Sequence, residues 1–469
     1  MLHLPLLRAG RPYRSAERAV LRHAATGEAV AEVSQANPGL VGRDLDGAAI
    51  CQRALAAVPA AELLAVAGRA ARLFATADLP AGDAVQSPAD YLRLLAATTG
   101  MPESLGRANL AKIETVLAKM ETVVAGLTRG LDPELLDRGW GAVGRHGGRQ
   151  PVAYRRESDV LGVVLPSNSP GVHGLWIPAV ALKVPVALKP GGREPWTPYR
   201  VAQALIAAGC PPEAVSFYPG DHAVATEILL RSPRSVLFGD RATVGGWAGD
   251  PRVQLHGPGW SKVVVGPDQA TGGGDSGGWR RHLDLMVTSV AANGGRSCVN
   301  ASGVWVATPG GKHAPGQGDE GPAAELAAAL AERLAAIPAL RLDDPAAQLA
   351  AFPDPGTARA ISAWLDSQVA IPGAVDVTAR FRAGGRVVDR DGLTFLLPTV
   401  VRCGPDHPLA QTELLFPFVA VVEAAPEELP ARLGPSLVVT ALTAEPALIR
   451  RLLDLPQIER LNLGPIPTS

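Results

Sequence analysis

Little in this chain points to a cross-linked, metal-stapled or membrane-embedded protein. Its 469 residues hold four cysteines, Cys51, Cys210, Cys298 and Cys403, scattered without a CxxC pair. That spacing offers neither a zinc knuckle nor a disulfide framework. Charge of either sign is not in excess: the formal net charge is -1, so nucleic acid and anionic membrane surfaces are not expected partners. Long apolar runs are missing too. Val160 to Pro166 and Val184 to Leu188 are strand-sized, well short of the ~20 residues that span a bilayer. Aromatics are only 4% of the chain, so few side chains can wall a pocket. Trp140, Trp176, Trp260 and Trp305 are the candidates, and Trp176 is the best placed for an apolar entrance. Met1-Leu2-His3-Leu4-Pro5 lacks the basic start and apolar run of a signal peptide. With the dispersed cysteines, this leads to the expectation of a cytoplasmic protein.

What is present is ordinary globular material. The chain is 47% hydrophobic and long enough for two or three domains. Residues 1–35 read as short strands, Leu4 to Leu7, Ala19 to His23 and Ala29 to Val33. From Gly47 to about Leu127 the apolar spacing is helical. Pro151 to Arg155 and Val160 to Leu165, with a polar turn between them, read as a hairpin feeding a buried strand. Strand and helix patterns then alternate: strands at Val160–Leu165, Val184–Lys189, Ala214–Tyr218 and Ser235–Phe238, helices at Gly174–Lys183, Pro198–Ala208 and Ala223–Leu230. That alternation predicts a parallel, doubly wound sheet. Pro267–Gly278 and Pro309–Pro322 read as glycine-rich surface insertions. No fixed-period repeat is present.

Cys298 carries the most chemistry. It lies in Asn293-Gly294-Gly295-Arg296-Ser297-Cys298, a small-residue turn between apolar runs. Glycines there let a substrate approach a thiol closely. A thiolate adding to a carbonyl gives a hemithioacetal or thioester. A buried structural cysteine is the plainer alternative for this residue on its own.

An ordered series of short motifs accompanies it: Pro166-Ser167-Asn168-Ser169-Pro170, Leu188-Lys189-Pro190, Pro219-Gly220, Leu237-Phe238-Gly239, Leu397-Pro398-Thr399-Val400, Glu413-Leu414-Leu415-Phe416-Pro417 and Asn462. From about residue 20 onward this set resembles the aldehyde dehydrogenase superfamily. The resemblance implies an α/β fold of two doubly wound parallel-sheet domains with a small β-hairpin oligomerisation element. It implies a cofactor-binding domain of residues 1–139 and 159–254, with 435–469 returning to it. Residues 140–158 would be the hairpin arm, and 255–434 a catalytic domain bearing Cys298. It further implies NAD or NADP as cofactor and a small-molecule aldehyde or acyl thioester as substrate, with coenzyme A as a conditional co-substrate. A homodimer or higher homo-oligomer is expected, and no metal.

By the same resemblance Cys298 is the nucleophile, and Asn168 donates to the oxyanion together with the Cys298 amide. Lys189 contacts the cofactor ribose, Glu413 holds the nicotinamide ribose, and Gly220 and Gly239 let the cofactor close to the backbone. Arg296 would lower the thiol pKa or receive an anionic substrate group. Three positions depart from the family pattern. His256 stands where hydrolytic members have a glutamate base, which points to thiol acceptors or to histidine as the base. Gly192 and Arg193 replace a carboxylate that would repel a 2′-phosphate, which permits NADP, although Glu194 is adjacent. Asp240 sits where a carboxylate would face the pyrophosphate. The chain ends at Ser469, soon after Asn462, so the oligomerisation arm is expected to differ. A catalytically silent relative with a structural or regulatory role is the alternative function.

Overall fold

The computed structural model describes residues 1–145, 148–270, 277–308 and 321–469. The chain forms two compact units, Met1–Thr99 with Gly106–Gly257, and Gly100–Leu105 with Pro258–Ser469. Each is built on a seven-stranded sheet, which gives the two doubly wound α/β domains expected.

In the first unit, strands Leu161–Val164, Val186–Lys189, Val215–Phe217, Arg234–Phe238 and Val253–His256 run parallel. Leu6–Arg8 and Arg11–Tyr13 extend the sheet antiparallel. The first parallel strand in the chain lies in the middle. The second and third lie to one side of it, the fourth and fifth to the other. Strand order therefore reverses at Leu161–Val164, which is a topological switch point. The strand cores are apolar and buried, Val186, Ala187 and Leu188 among them, as expected for strands covered on both faces. Helix Pro38–Asp46 packs on His222–Arg231, and Ala60–Thr76 packs on Trp196–Ala207. Asn37 caps the first of these helices by accepting the Leu40 N–H at 2.9 Å.

In the second unit the spatial order is Ala374–Asp376, Thr399–Cys403, Phe418–Ala424, Ala301–Ala307, Ser261–Val265, Ser436–Leu442, Ile458–Leu463. All neighbours are parallel except the first pair. Its core includes Val264, Trp305, Phe352, Leu365, Phe418 and Leu448.

Two sequence expectations are corrected. Residues 435–469 do not return to the first unit: Ser436–Leu442 pairs with Ser261–Val265 and carries Ile458–Leu463 beyond it. Pro151 to Arg155 does not pair with the Val160 strand either. Gly148–Val152 pairs with Gly141–Arg145 as a separate two-stranded hairpin, and both partners of Leu161–Val164 among the described residues are parallel strands. The two glycine-rich insertions fall largely outside the described residues. Their ends are helical, at Pro267–Ala270 and from Pro322 onward.

Candidate functional site

The first unit gathers six of the expected residues at or just beyond the carboxyl ends of its parallel strands. Asn168 follows Leu161–Val164, and Lys189 ends Val186–Lys189, with Arg193 four residues on. Gly220 follows Val215–Phe217, Gly239 follows Arg234–Phe238, and His256 ends Val253–His256. Ligands of doubly wound sheets bind at this edge, near the switch point.

Lys189 is half-buried there, and its ammonium has no hydrogen-bond acceptor among the described residues. Burial pulls its pKa down, and only Asp221 pulls it back. The Arg193 and Arg241 side chains are exposed, likewise without a side-chain partner among those residues. The opposing carboxylates are engaged elsewhere. Asp221 accepts from Ala223 and Val224 N–H, and Asp240 accepts the Thr243 N–H at 2.8 Å. Asp240 is thus a cap for its own short helix. Glu194 is also turned inward. It is buried, accepts from the Thr197 N–H and hydroxyl, and meets His173 Nε2 at 3.2 Å. Three cationic groups with spare donors suit a ligand bearing phosphates, so a dinucleotide fits this edge. Gly220 and Gly239 have a local cause. A Cβ on either would lie 2.6 Å from the Val224 or Thr243 side chain of the following helix.

Trp176 is not at an open entrance. It is buried, and its indole N–H donates to His173 Nδ1 at 2.9 Å. His173 therefore keeps its proton on Nε2, facing the Glu194 carboxylate. His256 stacks on Phe238, with ring centroids 4.7 Å apart.

The second unit places its site residues at the amino ends of its strands instead. Cys298 is half-buried on the turn before Ala301–Ala307. Cys210 and Cys403 are buried and pushed up to about 12; Cys51 is half-buried like Cys298, and burial raises its pKa as well. The Cys298 loop is held from several sides. Asn293 and Gly294 adopt left-handed backbone, φ 53° and 66°. Gly295, at φ 70°, packs so closely that a Cβ would lie 2.3 Å from the Phe416–Pro417 backbone. Buried Asn300 accepts the Ser297 N–H at 2.8 Å and donates to the Ser289 and Ala292 carbonyls. Arg296 is buried, donates to the Ala351 carbonyl and lies over the Phe352 ring. Its guanidinium is therefore packed into the support of the loop.

Glu413 lies before Phe418–Ala424, half-buried, and its carboxylate accepts the Trp260 N–H at 2.6 Å. Burial raises its pKa, against the pull of the Trp260 and Gly259 amides and of Lys262. Lys262 went unnoticed in the sequence. It is buried and donates to the Trp260 carbonyl at 2.7 Å and to the Ser436 hydroxyl at 3.0 Å. Desolvation lowers its pKa, opposed by Glu413. The signal was there: a lone lysine in Ser261-Lys262-Val263-Val264-Val265 is an exception to an apolar strand.

Among the described residues no cluster of three or more metal-ligating side chains occurs, and no single helix is long and apolar enough to cross a membrane. The switch point and its cationic edge define a doubly wound α/β protein. Residues 13–242 match the family model described as aldehyde dehydrogenase family. That match covers just under half of the chain, and nearly the whole length shares its fold with solved aldehyde dehydrogenases. The P. syringae AldA indole-3-acetaldehyde dehydrogenase, solved as a mutant with NAD+ and IAA, is 18% identical with a TM-score of 0.78, over 99% of this chain and 89% of that one. An aldehyde dehydrogenase from Brucella melitensis biovar abortus is 17% identical with a TM-score of 0.76, over 99% and 90%. A 3,6-anhydro-L-galactose dehydrogenase in complex with NAP is 15% identical with a TM-score of 0.75, over 98% and 91%. No curated protein matches the chain in sequence.

Proposed function

We propose that this protein is an NAD(P)-dependent aldehyde dehydrogenase that works through a covalent adduct on Cys298. The observation that carries the reading is the half-buried Cys298 on a turn braced by left-handed backbone and the Asn300 side chain. Support comes from the family match over the nucleotide-type sheet and from relatives solved with NAD+ or NAP.

Cys298 Sγ, as thiolate, adds to the aldehyde carbon, and the carbonyl oxygen becomes an oxyanion. The Asn168 amide and the Cys298 N–H donate to that oxygen. NAD or NADP, held by Lys189 and Arg193, would supply the hydride acceptor for the former aldehyde carbon. Lys189 and Arg193 hold the phosphate and ribose portions, and the thioester left on Cys298 passes to water or to a thiol. The glutamate that activates water in hydrolytic relatives is replaced by His256, which is stacked on Phe238. That favours a thiol acceptor such as coenzyme A, and the same site then reduces an acyl thioester in reverse. Gly141–Arg145 and Gly148–Val152 form a two-stranded hairpin of their own, marginal in isolation, which supports a homo-oligomer joined through it.

The test is NAD(P)H formation from a panel of aldehydes, with and without coenzyme A. Turnover that depends on coenzyme A is expected. Acid formation without it would assign His256 as the base. Nucleotide binding with no Cys298 reactivity would instead make the protein a silent relative.

A further inference from the structure

We propose that Lys262 and Glu413 are a pair of positioning residues that grip the Trp260 peptide from both ends and so fix the wall on which Cys298 is held. The inference rests on the reading of Cys298 as nucleophile.

Trp260 adopts φ 44°, a left-handed conformation that a bulky residue keeps only when its surroundings impose it. The imposing groups are on either side of the residue. Glu413 accepts its N–H at 2.6 Å, and Lys262 donates to its carbonyl at 2.7 Å. Lys262 is itself anchored to the Ser436 hydroxyl and the Pro435 carbonyl. The residues flanking Trp260 both meet Cys298. The Ser261 hydroxyl donates to the Cys298 carbonyl at 2.9 Å. Gly259 lies so close that a Cβ would sit 1.9 Å from the same oxygen, and the Gly259 carbonyl accepts the Leu437 N–H at 2.7 Å. A shift of Trp260 therefore moves both contacts at once. Glu413 acts from a second direction as well, because its chain continues into Phe416–Pro417, against which Gly295 of the nucleophile turn is packed. A carboxylate committed to backbone N–H groups in this way is an architectural part of the turn, distinct from the ribose contact that the family resemblance implies.

The test uses the full chain and three readouts: Cys298 alkylation by iodoacetamide as a function of pH, followed on the Cys298 peptide, the Kd for NAD+ and NADP+, and kcat. Glu413→Leu removes the acceptor and the charge, whereas Glu413→Gln keeps an acceptor oxygen. Expected for Glu413→Leu is a kcat lower by ~10–100-fold and a Cys298 alkylation profile displaced in rate and midpoint, with nucleotide Kd unchanged. Glu413→Gln recovers most of the alkylation profile. Lys262→Met reproduces the Leu variant. In a Trp260→Gly background, where positive φ is unstrained, Glu413→Leu costs less than in the wild type. Weakened nucleotide binding in Glu413→Leu with an unchanged alkylation profile would overturn the proposal. If Glu413→Leu does not fold, Lys262→Met and Glu413→Gln decide it by the same profile. A wild-type protein that binds no nucleotide defeats the dehydrogenase reading, while the alkylation comparison still decides the clamp.

Discussion

The Cys298 carbonyl is pinned by the Ser261 hydroxyl at 2.9 Å, on a face that Gly259 leaves open by having no side chain. The Cys298 turn is thus seated by its own backbone oxygen. A methyl group at position 259 has nowhere to go, because it would meet a backbone atom 1.9 Å away. Gly259→Ala is expected to cost ~1–3 kcal/mol and to lower Tm by roughly 3–10 °C. Gly192→Ala is the control, since nothing lies within 4 Å of a Cβ there. Differential scanning calorimetry on the two variants checks the contrast.

Cys298→Ala should abolish turnover and leave nucleotide binding intact, because the thiol belongs to the second unit and the cationic edge to the first. Steady-state kinetics and a fluorescence titration with NADP+ measure the two effects separately. Full activity in Cys298→Ala ends the covalent mechanism.

Much of the first unit was legible because its signals are local. Each buried strand is a short apolar run, and each ends in a turn residue, so the chain order of Asn168, Lys189, Gly220, Gly239 and His256 maps directly onto successive strand ends. What local pattern could not supply was long-range pairing. Ser436–Leu442 joins Ser261–Val265 across more than 170 residues of sequence, and nothing in either strand announces its partner. Side-chain direction was equally hidden. Glu194 and Trp176 turn into the interior because His173 and Thr197 offer them hydrogen bonds. Asp240 was a missed local signal, since Asp followed by Arg241-Ala242-Thr243 is an ordinary helix start.

Asn168 is the proposed donor to the oxyanion. If it donates there, Asn168→Ala lowers kcat by ~10²–10³-fold, the typical cost of one oxyanion donor. The nucleotide Kd and the Cys298 alkylation rate should not change, because neither needs the amide. A rise in KM with kcat preserved would place Asn168 in substrate binding instead.

Nucleotide choice should follow Arg193. Its side chain is exposed and without a partner among the described residues, while Glu194 is locked inward. NADP+ is expected to bind more tightly than NAD+, and Arg193→Glu to reverse the preference. The loss for NADP+ should be ~10–100-fold, the worth of a charge-assisted contact to a 2′-phosphate. Isothermal titration with both nucleotides checks it, and equal loss for both would mean that Arg193 contacts a part they share.

Stability should depend on pH through Glu413. Burial raises its folded-state pKa to about 7 from an ordinary value of 4.5. Between those two values the folded protein keeps a proton that the unfolded chain has released. Stability from this group is therefore full below about pH 4.5 and is lost as pH climbs toward 7, by up to ~3 kcal/mol. Glu413→Gln, which cannot ionise, should show a flatter Tm profile between pH 5 and 7 and gain on the wild type toward the upper end. Lys262 works in the opposite window. Its pKa is lowered to about 7 from 10.5, so unfolding takes up a proton above neutrality, and stability rises with pH from 7 toward 10. Lys262→Met should flatten that upper limb alone. Thermal melts of the three proteins across pH 5 to 10 separate the limbs, and identical profiles would show that neither group is desolvated in solution.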